Sequence, residues 1–139
     1  MLDCLVVGDS IAVGIAQARP GCVSYSTGGY NTHQWNKRYK DIPLDAKTVI
    51  ISLGSNDHQH VRTIWELQRL RERTTAGRVF WILPAGNLKA GGVDIASIQQ
   101  MVKLVADQYG DTVLPITRLQ KDGIHPSWAG YKELGEKTK

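Results

Sequence analysis

Leu2-Asp3-Cys4-Leu5-Val6-Val7-Gly8-Asp9-Ser10-Ile11-Ala12 opens the chain, and the change of pattern after Val7 decides the fold. Residues 2–7 form a short, nearly continuous apolar run, as expected of a strand covered on both faces of a parallel sheet. A glycine turn follows. Ile11, Ala12, Ile15 and Ala16 then recur at helical spacing, interrupted by Gly14, until Pro20-Gly21 breaks the pattern. Strand, tight turn and helix in that order make the first half of a βαβ unit. Open parallel sheets bind their ligands beyond the carboxyl ends of the strands, so the Gly8-Asp9-Ser10 turn is where chemistry is expected.

Further strand-like runs occur at residues 23–25, 48–53, 78–83 and 112–115, separated by stretches long enough for helices. Residues 60–73 place Val61, Ile64, Trp65, Leu67 and Leu70 on one stripe and Arg62, Glu66, Arg69 and Glu72 elsewhere. Another helix is predicted from a cap at Asp94, with Ile95, Ile98, Met101, Val102 and Val105 on one face and Gly110 to end it. A last one begins at Ser127 and repeats Trp128, Tyr131 and Leu134. The sum is one domain over residues 1–139: a flavodoxin-like three-layer α/β/α sandwich on a five-stranded parallel sheet of order 2-1-3-4-5.

The 139 residues, 42% of them hydrophobic, suffice for one core with both sheet faces covered. Seventeen basic against thirteen acidic residues give a net charge of +4. The basic clusters at Lys37, Arg38 and Lys40 and at residues 69–73 read as solvated faces, so no nucleic-acid partner is expected, although a mild positive field would attract an acidic polysaccharide. Neither a leader nor an apolar run near 20 residues is present, so a cytoplasmic protein with no membrane partner is expected. Cys4 and Cys22 fall on neighbouring strands and are read as two buried thiols of a reducing cytosol, a disulfide being the alternative. His58 and His60 lack a third ligand at a recognisable spacing, which argues against a metal. The four tryptophans are read as core or rim packing, and His33 as a surface residue.

Three segments carry candidate catalytic groups: Gly8-Asp9-Ser10, Gly54-Ser55-Asn56-Asp57 and Asp122-Gly123-Ile124-His125-Pro126. Ser10 would present its hydroxyl at the start of a helix. A serine hydroxyl is a weak nucleophile without an adjacent base, a role His125 fills if its loop returns to the strand ends, with Asp122 orienting the imidazole. Taken alone, Ser10 is equally a helix cap and Asp9 a turn former. Asn56 and the backbone amides of Ser10 and Gly29 are candidate oxyanion donors, Gly28 being the alternative to Gly29; losing one such donor typically costs about 3 to 4 kcal/mol. Asp9 and Asn87 are candidate substrate contacts, with Lys89 beside the latter, and Asp57 reads as a cap or a support behind the site.

These blocks resemble, in their order and across nearly the whole chain, the SGNH or GDSL-like hydrolase superfamily. Gly8-Asp9-Ser10-Ile11 is similar to the nucleophile block, Gly54-Ser55-Asn56-Asp57 to the GxND block and Asp122-Gly123-Ile124-His125-Pro126 to the DxxHP block. The resemblance implies a serine esterase with no metal or other cofactor, using Ser10, Asp122 and His125 and an oxyanion hole of Ser10, Gly29 and Asn56. The chain is short for that family and leaves little material for a lid. An open cleft favours a small acyl group on a bulky alcohol, such as a carbohydrate or cell-wall glycan O-acetyl ester. The competing expectation is a catalytically weak glycan- or protein-binding module on the same fold.

Overall fold

In the computed structural model, which describes residues 1–86 and 92–139, strands and helices alternate along the chain. The strands are β1 (Leu2–Gly8), β2 (Val23–Ser26), β3 (Leu44–Ser52), β4 (Thr74–Ile82) and β5 (Thr112–Leu114). The helices are α1 (Ser10–Ala18), α2 (Thr32–Arg38), α3 (Thr63–Glu72), α4 (Ile95–Tyr109) and α5 (Trp128–Lys137). All strand pairings are parallel, in the order β2-β1-β3-β4-β5. This is the predicted α/β/α sandwich.

The central strands divide their side chains by the two-residue period of a pleated sheet. Leu5, Val7, Val49, Ile51, Val79 and Trp81 point into a core shared with α2, α3 and α4. Cys4, Val6, Ile50, Phe80 and Ile82 point into a second core against α1 and α5. Each of β1, β3 and β4 is therefore apolar on both faces, which explains the unbroken hydrophobic runs. The first half of β3 alternates buried with exposed residues, that of β4 is mostly open to solvent after Thr74, and both strands extend upstream of the apolar runs, to Leu44 and Thr74.

Four further expectations are corrected. α2 was not foreseen, because its seven residues carry one buried apolar side chain, Trp35. Its signal is the capping box in which the Asn31 side chain accepts from the Gln34 amide and the Gln34 side chain accepts from the Asn31 amide. On α3 the order of Trp65 and Glu66 is inverted: Trp65 is 39% exposed, while Glu66 is buried at 4%. Polar bonding to α2 draws Glu66 inward, through His33 Nδ1 and Asn36 Nδ2. Trp128, at the start of α5, is exposed, leaving Tyr131 and Leu134 to hold that helix. Finally, Cys4 and Cys22 form a disulfide. Val23 pairs with Leu5 in the sheet, so each cysteine lies one position before a paired residue and their Cα atoms come within 4.6 Å. Among the described residues no helix is long and apolar enough to cross a membrane.

Candidate active site

The turn after β1 is forced by contact with β3. Gly8 has φ +144°, and a Cβ there would lie 1.8 Å from the Ser52 carbonyl oxygen. Only glycine permits both the backbone conformation and this approach. Asp9 follows as the N-cap of α1, its Oδ1 accepting from the Ile11 amide at 3.0 Å. Ser10 is thereby the first residue of α1, part-exposed at the carboxyl end of β1.

Ser10 Oγ lies 2.9 Å from His125 Nε2, a pairing across 115 residues of sequence. His125 Nδ1 lies 2.7 Å from Asp122 Oδ2. The loop carrying both is stiffened from within. Asp122 Oδ1 accepts from the Ile124 and His125 amides. The Gln120 amide donates to the His125 carbonyl at 2.8 Å, the Ser127 amide donates to the Arg118 carbonyl, and Ser127 caps α5. The Ile124 amide, the His125 side chain and the His125 amide hold the Asp122 carboxyl at about 2, well below the ordinary 3.8, so it is an anion at any working pH. An anion at Nδ1 fixes the proton there and leaves Nε2 free to accept from the serine hydroxyl.

The other candidates come from the ends of β2 and β3. Asn56 is exposed, and its Nδ2 donates to the Tyr30 carbonyl at 3.1 Å, joining the turn after β3 to the turn after β2. The Tyr30 amide in turn donates to the Thr27 carbonyl, closing a turn over Gly28 and Gly29 in which Gly29 has φ +79°. That conformation calls for glycine at the third position. A Cβ on Gly28 would lie 3.8 Å from the Ser10 Cβ, so the glycine pair adjoins the candidate nucleophile.

Asp57 stands behind these turns. Its carboxylate accepts from the Thr32 amide and hydroxyl at 2.9 and 2.7 Å and from the Thr63 hydroxyl at 2.7 Å, tying the starts of α2 and α3 to the end of β3. Burial pushes its pKa up, against these hydrogen bonds. Asp9 is a correction: expected at the substrate, its side chain is 0% exposed and faces the interior, with Oδ1 also accepting from the Ser52 hydroxyl. Its Oδ2 is buried with no hydrogen-bond partner, and desolvation pushes the group up to about 7. Asn87 and Lys89 lie outside the described residues. Among the described residues, no group of three or more His, Cys, Asp or Glu side chains is placed to hold a metal ion.

No protein-family model and no curated protein matches the chain. Solved structures do. A GDSL-like lipase from Bacteroides thetaiotaomicron superposes with a TM-score of 0.71 at 16% identity, covering 97% of this chain and 84% of the other. An α/β hydrolase enzyme from the metagenome of Lake Arreo, Spain, gives 0.72 at 15% identity, over 96% and 91%. An acetylxylan esterase from Geobacillus stearothermophilus gives 0.62 at 16% identity, over 96% and 90%. The chain thus has the fold of the GDSL-like hydrolases from end to end.

Proposed function

We propose that the protein is a serine esterase that cleaves carboxylic esters through an acyl-enzyme on Ser10, with an O-acetyl ester of a carbohydrate as its preferred substrate. The observation that carries this reading is the hydrogen-bonded chain Ser10, His125, Asp122, at 2.9 and 2.7 Å, built from opposite ends of the sequence. His125 Nε2 takes the hydroxyl proton as Ser10 Oγ attacks the acyl carbonyl carbon, and the Asp122 carboxylate stabilises the imidazolium that forms. The carbonyl oxygen, now an anion, accepts from the amides of Ser10 and Gly29 and from the Asn56 side chain, whose Nδ2 has one hydrogen left after bonding Tyr30. The alcohol departs with the proton from His125. Water then enters and gives a proton to the same nitrogen as its oxygen attacks the acyl carbon; the bond to Ser10 Oγ breaks, His125 returns the proton to that oxygen, and the acid leaves.

One feature supports a small acyl group and another the carbohydrate alcohol. A recess of about 20 Å³ lies among Ser55, Val93, Ile98 and Ile124, and its lining thus includes the chain neighbours of Asn56 and His125. It admits little more than a methyl group. The acetylxylan esterase among the structural neighbours supports the carbohydrate alcohol. The cross-link between Cys4 and Cys22 favours a compartment more oxidising than the cytosol expected from the opening of the chain.

The test is hydrolysis of 4-nitrophenyl acetate and of an acetylated xylooligosaccharide by the wild type and by Ser10→Ala. Loss of the nucleophile lowers kcat by roughly 10⁴-fold or more. Equal rates in the two proteins would refute the assignment.

A further inference from the structure

A cavity of about 290 Å³ opens beside the candidate oxyanion turns, walled by Asn31, His33, His58, His60, Arg62 and Trp65. Its walls continue the segments that carry the oxyanion donors: Asn31 and His33 follow Gly29, and His58 and His60 follow Asn56. The volume is at the lower end for small-molecule sites, enough for one sugar ring and not for a long chain.

The cation of this cavity faces solvent and its acid does not: Arg62 is exposed, whereas Glu66 is buried. Glu66, its one acid, is buried and occupied, with Oε2 at 2.7 Å from His33 Nδ1 and Oε1 accepting from Asn36 Nδ2 at 2.9 Å. The Asp57 carboxylate behind it is taken up by Thr32 and Thr63. Arg62 and Arg69 each hold a guanidinium 4.7 Å from the centroid of the Trp65 ring. Among the described residues neither pairs with a carboxylate. A guanidinium laid on an aromatic ring keeps its in-plane N–H fork available, and that fork matches carboxylate and phosphate oxygens.

We infer that this cavity is a subsite for an anionic group on the glycan portion of the substrate, a uronate carboxylate or a sugar phosphate, with Arg62 as its principal anchor. For the ester that is cleaved, the inference rests on the esterase reading; for binding, it stands by itself.

Calorimetric titration of Ser10→Ala protein with methyl glucuronide, glucose 6-phosphate and methyl glucoside tests it. At least one anionic sugar binds about ten-fold or more tightly than the neutral glucoside, and which one does so names the anion. Adding Arg62→Gln weakens that binding by about ten- to a hundred-fold, whereas adding Lys132→Gln, an equal loss of charge on α5 across the sheet, leaves it unchanged. Equal affinity for charged and neutral sugars, or anion binding that survives Arg62→Gln, would overturn the proposal. Because the titration needs no nucleophile, a wild-type protein that fails to hydrolyse any ester would sink the esterase reading alone.

Discussion

Replacing Asp9 with asparagine stabilises the protein by an amount that grows with pH. In the folded chain burial raises the Asp9 carboxyl to about 7 from the ordinary 3.8. Below the lower value both folded and unfolded chains hold the proton, and the group makes no difference. As pH rises from about 4 to 7 the unfolded chain releases its proton while the folded chain keeps it, so the fold loses stability across that window and none beyond it. At 1.36 kcal/mol per tenfold, the gap amounts to roughly 4 kcal/mol, an upper figure for one buried group and a large share of a typical domain's 5 to 15 kcal/mol. Asparagine keeps an oxygen for the Ile11 amide and carries no charge at any pH. Urea unfolding at pH 4 and pH 8, followed by the fluorescence of the buried Trp35 and Trp81, measures the effect. The advantage of Asp9→Asn over wild type should increase by about 2 to 4 kcal/mol between the two pH values. Other titrating groups are common to both proteins and cancel, so a difference that stays constant with pH would refute a raised Asp9.

Two further outcomes follow from packing and cross-linking. Gly14→Ala would place a Cβ 2.2 Å from the Tyr131 ring; alanine's helical advantage of about 1 kcal/mol is outweighed by this overpacking. A net loss of about 1 to 3 kcal/mol should lower the thermal midpoint, and a rise would show that α5 does not seat on α1 as described. Reducing the Cys4–Cys22 disulfide, which joins residues 18 apart, frees the unfolded chain to explore more conformations. The expected loss is about 3 kcal/mol, read as a lower urea midpoint with dithiothreitol, and identical midpoints would show that the cysteines are not joined.

The architecture was legible because the long-period signals are strong. The apolar runs of β1, β3 and β4 report strands covered on both sides, and Asp94 with Gly110 frames α4 at both ends. Much of what sequence reading missed has one cause: side chains placed by polar contacts rather than by hydrophobic period. Glu66 turns inward because His33 and Asn36 meet it, and no periodicity carries that information. Asp9 is similar. Its sequence position beside Ser10 suggests contact with substrate, but a cap that accepts from the Ile11 amide must point back along the helix start, and Ser52 on β3 closes over it. The disulfide depends on register: Cys22 lies just before β2, and only the pairing of Val23 with Leu5 brings it against Cys4. The candidates Ser10, Asn56, Asp122 and His125 stand in three short segments, and the structure brings Ser10, His125 and Asp122 into one hydrogen-bonded chain, whereas the cavity at Arg62 and Trp65 required α2, which sequence reading did not find.

The placement of His125 follows from helix packing as much as from its own loop. β5 is the far edge of the sheet, three strands from β1, or roughly 14 Å at the usual spacing. The eleven residue-to-residue steps from Leu114 to His125 can span about 35 Å when extended, so length does not fix where the imidazole lands. α5 does. It begins immediately after the loop, crosses back to pack on α1, and seats Tyr131 over the bare backbone at Gly14. α1 begins at Ser10, so the helix that carries the hydroxyl is the same one that receives α5. Gly130 completes the arrangement, because any side chain there would strike the Arg118 carbonyl, the group that accepts from Ser127 to close the loop. Two glycines in helices, each a local cost to helix formation, therefore allow the close contacts that set the 2.9 Å distance between His125 and Ser10. The glycine that seemed to weaken α1 in the sequence is the one that lets the distant imidazole arrive.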